Sequence, residues 1–276
     1  MPVSGRVWLI GYNVLPQITV QNLDVSFPLY HGNTRSLRKT VRGAFQGRFS
    51  QDRRNRVVVQ ALQNISFTLK PGDRLGLVGR NGAGKTTLLR ALAGIYEPVA
   101  GSVTIHGTIG TLLDPMLGMN NVLTGRENIH LRGMLAGLTK PQITRVEEDV
   151  EAFAQLGSFM DLPVNTYSSG MVVRLSFGLA TAIMPDVLLM DEWFMAGDAA
   201  FRQHARSRLE NLVSKADILV LSSHMSTVVA EWCNRLIWLE DGHIKMDGPT
   251  QTVLTAYLGH PVELKNPDQP LPNVAP

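Results

Sequence analysis

The chain has 276 residues, 44% of them hydrophobic and 18% charged, a balance that supports a sizeable buried core and excludes a disordered, solvated chain. Its single cysteine, Cys233, excludes an internal disulfide framework and a cysteine metal site, and no apolar run approaches the roughly 18 residues of a membrane span. The formal net charge of +3 is unevenly spread: between His31 and Arg56 eight basic residues stand against Asp52 alone, so that stretch carries +7 and the remainder −4.

In chain order, the opening MPVSGRVWLIGYNVLP lacks the basic start, long apolar centre and cleavage site of a signal peptide, which points to the cytoplasm. Alternating apolar and β-branched residues predict strands at Ile18 to Val25, Ile65 to Leu69, Arg74 to Val78 and Val103 to His106. The basic segment 31–56 interrupts the first two and, having no sustained period, is expected as a long loop or short helix. A mainly helical region follows from about Asp114 to Tyr167, with one helix expected from Lys140 to Gly157, between a proline near its start and a glycine at its end. Strand runs at Val187 to Met190, Ile218 to Ser222 and Leu236 to Leu239 then alternate with helical patterns, which predicts a mostly parallel sheet covered on both faces. Asp241-Gly242 predicts a closing hairpin turn, and 259–276, with five prolines, reads as a flexible tail.

The most specific motif is Gly79-Arg80-Asn81-Gly82-Ala83-Gly84-Lys85-Thr86, which fits G-x-x-x-x-G-K-[ST] between an apolar strand and an apolar-periodic helix. Glycines let the backbone N–H groups curl toward a polyphosphate, and a helix beginning near Lys85 adds its positive dipole end. Lys85 is expected at the β and γ phosphates, Thr86 at Mg²⁺ and Thr87 at the α phosphate. Downstream, Asp191 and Glu192 follow four apolar residues, at the carboxyl end of a buried strand. The first acid is expected to hold Mg²⁺ and the second to polarise an attacking water. His224 ends another apolar strand, where an imidazole can meet the γ phosphate or position the water.

In their order these motifs, with Tyr167-Ser168-Ser169-Gly170-Met171 and Ala196-Gly197-Asp198, resemble the ATP-binding subunit of an ABC transporter over about Ile18 to Leu258. The resemblance implies a P-loop NTPase core with an N-terminal antiparallel β region and an inserted helical subdomain at about 114–167. The family's usual signature is Leu-Ser-Gly-Gly-Gln; here Tyr167, Ser169 and Met171 depart from it, while Ser168 and Gly170, which the family uses at the γ phosphate, are kept. The variant "YSSGMVVRLSFGLA", with "TGRENIHLRG" and "GDAAFR", is similar to the subfamily that exports bacterial surface polysaccharides such as O-antigen, capsule or teichoic-acid chains. A second departure lies where most members have a glutamine-bearing loop; Asp114 is the matching position, and its shorter carboxylate can reach a metal through water. Phe27, or else Tyr30, matches the aromatic residue on which the family stacks adenine.

The resemblance further implies a head-to-tail homodimer that binds two ATP, each signature completing the partner's site, bound to a separate membrane permease on the cytoplasmic side of a bacterial inner membrane. The basic segment 31–56 is a solvated loop or a contact for anionic lipid headgroups or a lipid pyrophosphate-linked substrate, with nucleic acid the remaining alternative for it and not an expected partner of the chain. The rival readings are a soluble ABC ATPase acting on nucleic acid or the ribosome, an exporter of another substrate, and a small-molecule kinase, which would leave the signature and His224 unexplained.

Overall fold

A computed structural model describes residues 15–28, 49–51, 57–114, 118–191 and 199–262. The chain begins with β1 (Gln17–Pro28), β2 (Phe49–Gln51), β3 (Val57–Leu69) and β4 (Arg74–Val78), followed by α1 (Lys85–Leu92), β5 (Ala100–His106) and β6 (Ile109–Leu112). A helical stretch comprises α2 (Gly125–Leu135), α3 (Lys140–Ala154), two short 3₁₀ turns and α4 (Ser169–Thr181). It leads into β7 (Val187–Met190), α5 (Ala199–Lys215), β8 (Ile218–Ser222), α6 (Ser226–Trp232), β9 (Arg235–Glu240), β10 (His243–Pro249) and α7 (Thr250–Leu258).

The strands form two sheets. One is antiparallel in the order β2-β3-β1-β5, with Ile18 opposite both Leu69 and Ile105. The other has the order β10-β9-β4-β8-β7-β6 and is parallel except for β10 at its edge. The apolar runs RLGLV, VLLM and ILVLS become its central strands because helices and the other sheet cover both of their faces. Gly76 is required there, since a methyl group on it would lie 2.3 Å from Leu236 Cδ2.

Three hydrophobic clusters follow from this layering. Leu88, Leu89 and Leu92 of α1 fill the space between the two sheets, so truncating either fully buried leucine, 88 or 89, to alanine would cost about 2 to 5 kcal/mol. On the opposite face of the parallel sheet, Leu209 and Leu212 of α5 and Trp232 of α6 pack with Phe177 of α4. The helical layer has its own cluster, in which Ile129 and Val150 meet Leu175 and Leu179, again from α4. That helix therefore takes part in two clusters.

Several boundaries differ from the sequence expectation. The helix expected to reach Gly157 ends at Ala154, because Gln155 takes the left-handed capping conformation at φ 52°. Its start is fixed by Thr139 and Gln142, whose side-chain oxygen accepts from the Thr139 N–H at 2.8 Å. The short β6, with no alternation to announce it, is placed by parallel pairing of Gly110 with Leu188. Within the segment read as loop or helix, Phe49 to Gln51 form a strand against Val57 to Val59. The eight basic residues of 31–56 and the tail beyond Val262 lie outside the described residues.

Candidate functional site

The loop from Gly79 to Gly84 joins β4 to α1 and wraps around the Lys85 side chain. The Lys85 ammonium is buried and donates to the carbonyls of Gly79 at 2.7 Å and Arg80 at 3.2 Å. Holding the loop this tightly requires left-handed backbone at Gly79 (φ 149°), Gly82 (φ 80°) and Gly84 (φ 114°). The back of the loop is packed: a methyl on Gly79 would lie 2.3 Å from the Leu239 carbonyl, and one on Gly84 2.8 Å from Leu62. At Gly82 the same methyl would meet nothing within 4 Å, so the loop is open there. Asn81 is exposed beside it, Ala83 is buried beneath, and Thr87 is half-buried in the first turn of α1.

Sequence reasoning missed what braces this loop. The Gly242 N–H donates to the Ala83 carbonyl at 3.1 Å, and the Gly242 carbonyl accepts from Gln63 at 2.9 Å. Asp241-Gly242 was legible as a hairpin turn; that the turn reaches back to the phosphate loop depends on β9 lying beside β4, which only the sheet order fixes.

That order also collects the remaining candidates. Strands β4, β8, β7 and β6 are neighbours and parallel, so the phosphate loop, His224, Asp191 and Asp114 all leave the same carboxyl edge. Asp191 is held by its N–H donating to the Leu112 carbonyl at 2.9 Å, two residues before the exposed Asp114. The Thr86 hydroxyl donates to Asp191 Oδ2 at 2.9 Å. His224 is exposed after β8, where Ser223 Oγ accepts from the Met225 N–H at 3.0 Å and turns the chain into α6. Glu192 and Tyr30 lie outside the described residues.

A polyphosphate fits the open, glycine-formed front of the loop with a buried cation behind it. The Thr86 hydroxyl and Asp191 carboxylate form a hard oxygen donor pair of the kind Mg²⁺ takes. Among the described residues no three His, Cys, Asp or Glu side chains gather into a metal cluster, so a cation there would complete its shell from phosphate oxygens and water.

Ser168 and Gly170 belong to the helical layer. Ser168 is the N-cap of α4, its Oγ accepting from the Met171 N–H at 3.3 Å, and a methyl on Gly170 would meet nothing within 4 Å. The helix begins at Ser169 because Ser168 caps it. Phe27 is half-buried near the end of β1 and meets Tyr96 edge-on, with ring centroids 5.0 Å apart.

Residues 62–195, from β3 through the phosphate loop and Asp191, match the ABC transporter family. The O-antigen export system ATP-binding protein RfbE of Yersinia enterocolitica is 41% identical over 231 residues, which cover 83% of this chain and 97% of that protein. The chain belongs to the ABC transporter ATP-binding family. An ABC relative, the O-antigen export system ATP-binding protein RfbB of Klebsiella pneumoniae, is 34% identical over 245 residues, 88% of this chain and 97% of its own length. The fold is similar to that of the ATP-binding cassette MJ0796, solved as a dimer in a post-hydrolysis state bound to ADP and phosphate, at a TM-score of 0.63 and 18% identity, covering 84% of this chain and 98% of that one. As an ABC ATPase the chain binds ATP and couples its hydrolysis to transport. Among the described residues no helix is long and apolar enough to cross a membrane.

Proposed function

We propose that this chain is the ATPase subunit of a bacterial exporter of a lipid-linked surface polysaccharide. It works on the cytoplasmic face of the inner membrane as a head-to-tail homodimer bound to a separate permease. One observation carries the hydrolase: a hydroxyl–carboxylate pair, Thr86 with Asp191, at the mouth of a loop closed on a buried lysine. The two O-antigen export relatives, similar over nearly their whole lengths, support the transported class.

In this reading the loop's N–H groups and Lys85 hold the β and γ phosphates of ATP, and Thr87 touches the α phosphate. A bound Mg²⁺ would draw charge from the β and γ phosphate oxygens. Thr86 and Asp191 would hold it, with Asp114 able to reach it through water. Phe27 offers the base a ring face. Glu192 polarises the attacking water, and His224 holds the γ phosphate from the next strand. Ser168 and the N-terminus of α4 complete the site of the second copy, where a hydroxyl and a helix dipole meet phosphate charge. The basic segment 31–56 meets anionic headgroups beside the permease, and nucleic acid has no part in the cycle.

Glu192→Gln should retain ATP, trap a dimer visible by light scattering and lower turnover by on the order of 10²-fold. Near-normal turnover would remove Glu192 from this role. Deleting the gene should leave the lipid-linked glycan inside the cell; a normal surface glycan would overturn the export assignment. Loss of anionic-liposome sedimentation on replacing four arginines of 31–56 with glutamine tests the lipid contact, which unchanged sedimentation would eliminate.

A further inference from the structure

Tyr167 stands immediately before Ser168, where the family's usual signature has leucine, and its phenol makes contacts a leucine cannot. The hydroxyl donates to the Phe159 carbonyl at 2.6 Å. Its oxygen also packs against the backbone of Gly125, the first residue of α2, whose N–H has no partner within its own helix. The ring fits only because residue 125 is glycine: a methyl there would lie 2.7 Å from the phenol oxygen. Burial pushes the Tyr167 pKa up, against the nearby Gly125 N–H and aided by Asp161, which keeps the phenol protonated and able to donate to Phe159.

The phenol closes a longer seam. Segment 120–124, which follows the strand end carrying Asp114, runs beside 163–165: Val164 N–H donates to Leu123 at 3.0 Å and Asn165 N–H to Asn121 at 2.9 Å. The first segment is held rigid by Asn128, which is 1% exposed and donates to the carbonyls of Asn120 at 3.0 Å and Thr124 at 2.8 Å. Thr124 in turn caps α2, with Glu127 returning to its N–H at 2.8 Å. Beyond Tyr167 this support stops. Ser168, Ser169 and Gly170 are exposed, and the Ser168 hydroxyl is met by one long bond from Met171.

We propose that Tyr167 is a positioning residue whose hydroxyl, bonded to Phe159 and seated against Gly125, fixes the angle at which the chain enters Ser168. It thereby aims the Ser168 hydroxyl and the N-terminus of α4 at the γ phosphate of ATP held by a second copy of this chain. The inference rests on the cross-interface role of Ser168 proposed above. A misplacement of about 1 Å can cost on the order of 10²-fold in rate, so an exposed hydroxyl with a single weak tether gains from support one residue upstream.

The test is steady-state ATP hydrolysis by the full-length homodimer in four forms: wild type, Tyr167→Phe, Ser168→Ala and the double variant. Tyr167→Phe keeps the ring and loses the Phe159 bond and the hydroxyl contact at Gly125, and should lower kcat about tenfold while leaving KM for ATP within about threefold. On the Ser168→Ala background the same change should cost less than about twofold, since the group it aims is gone. Gly125→Ala, which displaces the phenol with Tyr167 intact, should show the same dependence on Ser168. Wild-type kcat in Tyr167→Phe, or equal fractional losses on both backgrounds, would overturn the positioning role. Undiminished hydrolysis in Ser168→Ala alone would overturn the cross-interface reading, a failure read from a different variant.

Discussion

Replacing Gly79 and Gly82 by alanine, one at a time, separates the packed back of the phosphate loop from its open front. Alanine at Gly79 must keep a φ of 149° and place its methyl 2.3 Å from the Leu239 carbonyl and 3.0 Å from Ala83 Cβ. The carbonyl belongs to β9, which pairs with β4 from Arg235 to Trp238 and with Ile244 of β10 at Leu239, so it can give way little. Backbone strain of about 1 to 2 kcal/mol adds to overpacking of about 1 to 3 kcal/mol, and roughly 3 kcal/mol is the expected loss. At Gly82 the φ of 80° strains alanine similarly, but its methyl meets nothing within 4 Å, so only the backbone part applies, about 1 kcal/mol. At about 2 to 3 °C per kcal/mol for a chain of this size, the melting temperature should fall by about 6 to 9 °C for Gly79→Ala and about 2 to 3 °C for Gly82→Ala. Thermal melting followed by circular dichroism without nucleotide measures both. Equal losses, or the larger loss at Gly82, would refute the packed-back geometry.

Thr86→Val removes the hydroxyl facing Asp191; hydrolysis should fall by about 10²-fold and Mg²⁺ should no longer strengthen ATP binding by calorimetry, whereas retained Mg²⁺ dependence would exclude this ligand pair. Burial works against the Glu147 charge, yet hydrogen bonds from His130 and Arg126 hold its pKa below the ordinary carboxylate range. Its stabilising contribution is therefore fully present above an unfolded carboxylate's pKa of about 4.3 and disappears as pH falls through the lower folded value. Glu147→Gln should flatten the slope of stability against pH in that acidic window, and an unaltered slope would contradict the assignment. Burial pushes the Cys233 thiol up to about 12 despite nearby Arg74, so thiol reagents should label it only on unfolding. Rapid labelling of the native chain would show it to be accessible.

The parallel sheet was legible because burial on both faces writes itself as continuous apolar runs. Arg74 to Val78, Val187 to Met190 and Ile218 to Ser222 have the bounds read from sequence. Asp191, His224 and the phosphate loop were legible as strand-end residues for the same reason. Their assembly was not written locally, since chain order separates β4 from its neighbour β8 by more than a hundred residues. The strand β6 escaped notice because its residues Ile109 to Leu112 alternate poorly and are held by a partner's register. Tyr167 was read as a mark of resemblance alone. Its work depends on Gly125 and Phe159, whose proximity comes from tertiary packing of α2 and the turn after α3.

The shape of α4 explains why an exposed signature needs bracing at Tyr167. Its interior residues are fixed in two clusters at once, Phe177 against the layer beneath the parallel sheet and Leu175 and Leu179 against the other helices. A methyl on Gly178 would lie 3.2 Å from Val150 and 3.3 Å from Phe153, so there the helix is seated closely. Its first two residues, Ser169 and Gly170, are exposed, while Met171 and Val172 pack partly against the helical cluster. Seven residues separate Ser168 from Leu175, the first fully buried residue of the helix, a lever of about 10 Å at the helical rise per residue. A tilt of about 5° about the seated part would move the Ser168 hydroxyl by about 1 Å, the scale on which reacting geometry is lost. Partial packing of Met171 and Val172 gives that angle contact without direction, whereas the hydrogen bond from the Tyr167 hydroxyl to Phe159 acts almost at its tip. The exchange of leucine for tyrosine thus supplies directional restraint where an apolar side chain would give contact without direction.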